Sequence, residues 1–300
     1  MSRYSNFAIV ASFLGLWINS FFTSELQIFV GFILIFSFGI LHGANDLLLI
    51  KHVNTKKELP FMTILYYYVL LISFGAALFF IVPWLALLLF IMVSGYHFGE
   101  QHWEDLKINN SNLVIVLFQF CYGLLILVLL FTFHIEEVKK IIYQITRISF
   151  KDLHIPLILI CLSISLFILG TYIFLKNATF KKQILINIFY LLVFIILFKT
   201  ASLIWGFAIY FIFWHSIPSI LGQLKFLYGE SNFTNFKTYF LKAFVYWIVS
   251  LVGIGILYLF FKDKQVFDAL FFSFLAAITF PHALVIMKMF NQNRLHKKTE

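Results

Sequence analysis

Long runs of apolar residues, separated by short polar stretches, recur along the whole chain. A helix that crosses the hydrocarbon core of a bilayer needs roughly 20 predominantly apolar residues. The runs predict ten spans, at residues 6–23, 26–50, 61–82, 84–103, 112–134, 154–175, 183–199, 201–223, 239–261 and 266–290. Only Lys199 and Thr200 separate the seventh span from the eighth, so eight or nine spans are an alternative. The predicted fold is all-α, a polytopic transmembrane helix bundle.

The basic residues are distributed unevenly between the two sides of this arrangement. If the N-terminus is cytoplasmic, 15 of the 22 Lys and Arg residues lie in inner segments and 7 in outer ones. Since Lys and Arg accumulate in cytoplasmic loops, the distribution favours ten spans and a cytoplasmic N-terminus. The longest polar insert, about 135–153, is then an external loop. We expect one integral-membrane domain over residues 1–300, in the cell inner (plasma) membrane.

Composition agrees with a membrane protein. Hydrophobic residues make up 62% of the chain and charged residues 12%, against about 45–50% and about 25% in soluble domains. The net charge of +9 comes from basic residues in short loops between apolar runs, so we expect no nucleic-acid partner. Cys121 and Cys161 both lie inside apolar runs and indicate no disulfide framework.

Four histidines lie well inside the predicted spans, at least six residues from either end, in motifs rich in small or polar residues. They are His42 in GILHGANDLL (39–48), His97 in SGYHFGEQHW (94–103), His215 in FWHSIPS (213–219) and His282 in TFPHALVI (279–286). The four spans run in the same direction, and each histidine precedes the cytoplasmic end by about six to eight residues. With a rise of about 1.5 Å per residue, the four imidazoles lie at nearly one depth.

Four imidazoles at one depth suggest a metal site. Imidazole suits Fe, Zn, Cu and Ni, whereas Ca and Mg prefer oxygen ligands. Ionisable residues at membrane depth usually face the protein interior and mark a functional site. The alternative is four independent interior histidines, each hydrogen-bonded to a backbone carbonyl or a serine.

Two carboxylates stand close to the histidines along the chain. Asp46 is four residues after His42, and Glu100 is three residues after His97, so each pair shares a helix face. Such a carboxylate, or the amide of Gln101, can accept the second ring N–H and fix the tautomer. The alternative is that Asp46 and Glu100 cap helices or reach towards the cytoplasmic interface.

Ser219 and His102 are weaker candidates for the metal site. Ser219 is one turn after His215 and could bond a ligand, a water or the carbonyl that Pro218 frees, which in an α-helix is that of Trp214. His102 is about 140° round an ideal helix from His97, so it could become a ligand only if the helix unwinds after Gly99.

The four motifs, in this order, resemble the Brp/Blh family of membrane β-carotene 15,15'-dioxygenases, the bacteriorhodopsin-related proteins. Members carry an HG-x-x-D element, then HFG-E, then WHS, then PH in the last span. The resemblance implies a non-haem Fe(2+) enzyme that uses O₂ to split the central double bond of β-carotene into two retinals. The family's iron ligands carry over to His42, His97 and His215.

One departure from the family pattern concerns the fourth ligand. Many members read WHS-x-R-H, whereas this chain has Ser219 in place of the second histidine and Pro218 before it. A hydroxyl is a poor substitute for imidazole on Fe(2+). His282 is therefore the candidate for the fourth ligand, with His102, or Ser219 and a water, as alternatives.

The resemblance also implies partners. The carotenoid would enter from the lipid phase, and retinal would pass to a retinal-binding opsin. Aromatic residues near the motifs could stack along the polyene and stabilise cationic character during cleavage. They are Tyr96, Phe98, Trp103, Tyr210, Phe213, Trp214 and Phe280.

Two other functions compete with this interpretation. A membrane di-iron desaturase or hydroxylase needs about eight histidines in HxxxH and HxxHH clusters, which this sequence lacks. A transporter or channel with a histidine-lined path for protons or metal ions is the second rival. It predicts polar residues through the outer half of the same spans, where few occur.

Overall fold

The computed structural model describes residues 3–53, 60–104, 106, 112–149, 154–260 and 264–299. Every regular element in these ranges is helical, which confirms the predicted all-α class. The helices are α1 (Arg3–Asn19), α2 (Ser24–Leu34), α3 (Asp46–Val53), α4 (Phe61–Ile81), α5 (Pro83–His102), α6 (Asn112–Phe133), α7 (Ile135–Thr146), α8 (Ile155–Lys176), α9 (Ala178–Thr200), α10 (Leu203–Tyr210), α11 (Ile217–Tyr228), α12 (Phe233–Phe260) and α13 (Lys264–Thr299). Two π-helical turns, Ile35–Gly39 and Phe211–Ser216, follow α2 and α10.

Within the described ranges, seven helical stretches are long and apolar enough to cross a membrane. They are Phe61–Ile81, Leu113–Phe133, Ile155–Lys176, Ala178–Thr200, Leu203–Tyr228, Phe233–Ile256 and Ser273–Gln292. The polytopic membrane fold is thus confirmed, while the count of ten spans and the cytoplasmic N-terminus stay predictions. Five lysines used in the charge count, Lys56, Lys57, Lys107, Lys151 and Lys262, lie outside the described residues.

The chain divides into two compact units. The first unit comprises Met1–Ile35, Ser94–Lys139 and Phe150–Ser216. The second unit comprises Phe36–Val93, Lys140–Ser149 and Ile217–Glu300. The single catalytic domain over residues 1–300 stays a prediction.

Helix α6 forms the centre of the first unit. Its residues 124–130 are all buried, so the helix is enclosed on every side. It packs against α8, α9 and α10, while α10 also packs against α1 and α2. By contrast, large side chains such as Phe167 and Leu185 are 75% and 79% exposed on α8 and α9. Apolar surface of this extent is suited to contact with lipid.

The crossing of α5 and α6 in the first unit requires glycine. A Cβ on Gly99 would lie 1.7 Å from the carbonyl oxygen of Gln119, and one on Gly123 would lie 1.8 Å from that of Gly95. These distances are far inside van der Waals contact with rigid backbone. The two helices can therefore touch backbone to backbone only because small residues stand at the crossing.

In the second unit, α13 packs against α3 and α4. One apolar cluster joins Leu49 of α3 to Ile286 and Met289 of α13, all at most 1% exposed. A second cluster joins Leu224 of α11 to Tyr239 of α12. These clusters fix the helices that carry the polar residues of this unit.

The predicted continuous span 26–50 is wrong in detail, because the helix is interrupted. After the π-helical turn Ile35–Gly39, the residues from His42 to Asn45 form a non-helical turn, and α3 begins at Asp46. In the turn, the N–H of Gly43 donates to Ile40 O over 3.2 Å and that of Asp46 to Gly43 O over 3.2 Å. These i→i−3 bonds replace the α-helical pattern at the first histidine motif.

The predicted span 201–223 is also irregular at its histidine. Donor and acceptor are five residues apart in a π turn, so Pro218 leaves the carbonyl of Phe213 without an N–H donor. The hydroxyl of Tyr4 donates to that carbonyl instead. The sequence predicted that Pro218 frees the carbonyl of Trp214, as in an α-helix. In the π turn the freed carbonyl is that of Phe213, one residue earlier.

The predicted external loop also changes. Residues Ile135–Thr146 of the expected loop form helix α7, whose apolar residues fall on one side, a pattern typical of helices at a membrane interface. Residues 150–153 of that loop lie outside the described ranges.

We expect Gly99→Ala to destabilise the first unit by about 3 kcal/mol or more, at the upper end of overpacking costs. The reason is that neither backbone can yield to the added methyl group. The measurement is the apparent melting temperature of the purified chain in detergent. Gly253→Ala in α12 is the control, because a Cβ there meets no described atom within 4 Å. Equal melting temperatures for both variants would contradict the required glycine contact.

Candidate metal centre

Each of the four predicted histidines is buried. His97 of α5 is 1% exposed and His215 of the second π turn is 2% exposed, and both belong to the first unit. His42 in the interrupted helix is 5% exposed and His282 of α13 is 4% exposed, and both belong to the second unit. His42, His215 and His282 could each offer a ring nitrogen to a metal ion.

In the second unit the two histidines are in contact. The ring centroids of His42 and His282 are 4.6 Å apart, and the ring planes are nearly perpendicular at 84°. A Cβ added at Gly43 would lie 3.6 Å from Nδ1 of His282, an ordinary van der Waals distance. Two imidazoles this close can direct nitrogens to a single ion.

Asp46 binds His282. Nδ1 of His282 lies 2.9 Å from Oδ1 and 3.1 Å from Oδ2 of Asp46. From the sequence, Asp46 was expected to share a face of a continuous helix with His42. The turn at residues 42–45 interrupts that helix, so the i, i+4 geometry is absent. Tyr68 of α4 donates its hydroxyl to Oδ2 over 2.8 Å. Asp46 is 1% exposed, so both bonds lie in a low-dielectric environment.

The Asp46 contact determines which nitrogen of His282 can bind a metal. A carboxylate accepts a hydrogen bond from Nδ1–H, so the ring proton stays on Nδ1 and the lone pair is on Nε2. A carboxylate, a histidine and a metal ion form a recurring arrangement in which the carboxylate orients the ring and raises its basicity. His282 therefore has the local chemistry of a metal ligand.

In the first unit His97 and His215 form the other pair. Their ring centroids are 4.8 Å apart at an interplanar angle of 81°. The ring of Phe98 lies 4.5 Å from that of His215, and Phe211 stacks on the same imidazole at 5.3 Å. One side of this pair is thus apolar and aromatic.

The polar residues beside His97 have defined partners. Gln101 donates from Nε2 to the carbonyl of His215 over 2.8 Å, so it supports the π turn. The carboxylate of Glu100 is 1% exposed and accepts a hydrogen bond from the Tyr96 hydroxyl at 3.1 Å. Its predicted role towards the ring of His97 stays a prediction.

The structure gives the weaker candidates other partners. Helix α5 continues to His102 without unwinding after Gly99, so the condition for His102 to act as a ligand is not met. Nε2 of His102 lies 2.7 Å from Oδ1 of Asn187 and 3.1 Å from the Tyr122 hydroxyl. Ser219 is buried in the second unit and accepts from Nε2 of Gln223 over 3.1 Å.

The aromatic residues that were predicted to line the substrate site pack in different parts of the structure. Phe98 contacts His215, whereas Trp103 packs against Phe118 and Phe180. Trp214 packs against Phe194 and Tyr190 and donates to Ser12 over 2.9 Å. Phe280 is packed against the cluster around Phe79. Phe211 contacts a histidine but was not among the predicted residues.

The family model for beta-carotene 15,15'-dioxygenase matches residues 33–290, which is most of the chain. The chain belongs to the beta-carotene 15,15'-dioxygenase family. No curated protein and no solved structure matches it. Family membership confirms the resemblance found in the motifs and implies a membrane-embedded dioxygenase with a carotenoid substrate.

The sequence did not predict three polar side chains that support the histidines. Tyr68 bonds Asp46, Gln223 bonds the carbonyl of His42, and Tyr239 bonds Gln223. Gln223 had a usable signal, because it follows His215 and Ser219 at a constant spacing of four residues in an apolar run. Tyr68 and Tyr239 had none, since each is one of several tyrosines in apolar runs. Their partners are distant in sequence.

We expect Tyr68→Phe to weaken binding of a first-row transition metal by about tenfold, the lower end for groups that orient a ligand. The substitution removes only the donor to Asp46 and so loosens the carboxylate that holds His282. Competition with a chelator, applied to the purified chain, measures the affinity. Tyr67→Phe is the matched control, because Tyr67 is the neighbouring residue and is 61% exposed. Equal affinities for the two variants would count against the role of Tyr68.

Proposed function

We propose that this family member cleaves the central double bond of β-carotene with O₂ in an Fe(2+)-dependent reaction that releases two molecules of retinal. The observation that carries the proposal is the family match over residues 33–290, a range that contains all four histidine motifs. The reaction needs no added reductant, because the two oxygen atoms of O₂ become the two aldehyde oxygens.

The donor chemistry of the buried residues fits iron. Each histidine pair supplies imidazole nitrogens, which suit Fe and other first-row metals. The residues proposed to hold the ion are His42, His97, His215 and His282. The carboxylate of Asp46 contacts the ring of His282 and is proposed to orient it rather than to bind the ion. An all-histidine set without a carboxylate ligand favours the ferrous state.

Bound Fe(2+) would supply the redox-active centre at which O₂ becomes reactive towards an alkene. The chain's own residues prepare the ligands for it. Tyr68 and Asp46 keep His282 in the tautomer with its lone pair on Nε2. Gln101 holds the backbone of His215. Burial of all four rings keeps bulk water away, which strengthens each of these polar contacts.

The aromatic side of the first-unit pair suits a polyene. Phe98 and Phe211 lie against the imidazole of His215, and their faces can stack on conjugated carbons. Aromatic faces also stabilise positive charge that develops on a nearby group. A substrate as apolar as β-carotene would approach laterally from lipid, through the apolar exterior of the helices.

The location and the fate of the product follow from the same proposal. We place the enzyme in the cell inner (plasma) membrane as a multi-pass protein. Retinal released into that membrane would be available to a retinal-binding opsin. The substrate and the product are both apolar and partition into lipid.

Expression in β-carotene-producing bacteria, with chromatography of extracted retinoids, tests the activity. We expect loss of yellow colour and the appearance of retinal. His42→Ala and His282→Ala should each abolish retinal formation, because each removes a proposed ligand. His52→Ala is the control, since His52 is an exposed histidine whose Nδ1 lies 3.0 Å from the carbonyl of Leu48.

Two outcomes would overturn parts of the proposal. Folded, iron-loaded protein that leaves β-carotene intact would rule out the substrate. Full activity in His282→Ala would remove that histidine from the ligand set and leave the other three.

A further inference from the structure

The backbone carbonyl of His42 lies outside the helical hydrogen-bond pattern. In a continuous α-helix it would accept from the N–H of Asp46, four residues later. That N–H donates instead to Gly43 O, and the N–H of Leu49 donates to Asn45 O over 3.0 Å. A buried peptide oxygen without a donor costs several kcal/mol in an apolar environment. Another part of the protein must therefore supply the donor.

Gln223 of the second unit supplies the donor, and Tyr239 orients it. Gln223 of α11 donates from Nε2 to His42 O over 2.9 Å, and the Tyr239 hydroxyl of α12 lies 3.3 Å from the same oxygen. Both residues are 0% exposed. The shorter bond of Tyr239, 2.7 Å, goes to Oε1 of Gln223. It fixes the orientation of the carboxamide, so that the NH₂ group faces His42 O.

The other end of the turn is held by the same helix. Asn45, which is 2% exposed, donates from Nδ2 to the carbonyl of Tyr239 over 2.9 Å. The four-residue turn is thus attached at its first residue by Gln223 and Tyr239, and at its last by Asn45. We call Gln223 and Tyr239 the carbonyl clamp.

We infer that the carbonyl clamp, Gln223 with Tyr239, is a positioning device for the imidazole of His42 in metal binding. The inference rests on the metal-binding part of the proposed function. A carbonyl and the Cα of its own residue are directly bonded, so a shift of the oxygen moves the Cα and the ring it carries. His42 is the first residue of the turn, so no helical hydrogen bond from Asp46 resists that shift. The clamp therefore sets where its ring lies relative to His282.

Metal titration of the purified full chain tests the inference. The chain is stripped with a chelator and titrated with Fe(2+) under anaerobic conditions, and in parallel with Co(2+), whose visible spectrum reports ligand geometry. We expect Gln223→Met to bind either ion at least about tenfold more weakly and to alter the Co(2+) spectrum. Tyr239→Phe should show a smaller loss, because the amide of Gln223 remains.

A second readout separates positioning from general stability. A metal ion raises the melting temperature of a protein by an amount that depends on its affinity. If the clamp positions His42, the rise caused by the ion shrinks in Gln223→Met. If the clamp only stabilises the fold, the metal-free protein melts earlier but the rise is unchanged.

Trp247→Phe is the matched control. Trp247 also lies on α12 and donates from Nε1 to the carbonyl of Ser37 over 2.9 Å, at the neighbouring π turn. The substitution removes one side-chain hydrogen bond of α12 to a backbone carbonyl and leaves the hydrogen bonds to His42 in place. We expect a lower melting temperature with metal affinity unchanged.

Three results would overturn the inference. They are wild-type affinity in folded Gln223→Met, an equal loss of affinity in Trp247→Phe, and a wild-type chain that binds neither ion. If Gln223→Met does not fold, the affinity of Tyr239→Phe relative to Trp247→Phe decides. A chain that binds iron in a clamp-dependent way yet leaves β-carotene intact refutes the substrate and leaves the clamp in place.

Discussion

A peptide group that leaves a helix in apolar surroundings must find another hydrogen-bond partner inside the protein. This constraint governs the surroundings of both irregular histidines. At His42 the released carbonyl accepts from Gln223, whose carboxamide is oriented by Tyr239. At the π turn that carries His215, the carbonyl of Phe213, which Pro218 leaves without a donor, accepts from the Tyr4 hydroxyl, and Gln101 donates to the carbonyl of His215. Each break in a helix therefore recruits polar side chains from distant parts of the chain, and these give the histidine a fixed place.

The two histidines of the second unit are held by different means. His282 stands in a regular helix and is oriented through its ring by Asp46. His42 stands in a turn and is oriented through its backbone. A ring held by a carboxylate gains basicity as well as direction, whereas a residue held by its carbonyl gains direction alone. The same function of placing an imidazole is thus achieved by two kinds of contact.

Sequence reasoning succeeded where the signal is local. Apolar runs predicted the helices, because a membrane span needs a run of known length. The order of four histidine motifs predicted the family. Sequence reasoning failed where the interacting residues are distant in sequence, because no local pattern joins Asp46 to His282 or Tyr68 to Asp46. The interruption after His42 had a local signal in Gly43 and Asn45, both common in turns, but the surrounding apolar residues concealed it.

The π turn Phe211–Ser216 has a consequence for comparing relatives. A π turn holds one residue more than the α turn it replaces. A relative that lacks the turn could keep the helices on either side and differ by a single missing residue. A one-residue gap between Phe211 and Ser216 in an alignment would then indicate a different backbone geometry at His215. The spacing from His215 to later motif residues can be compared between relatives only after that gap has been placed.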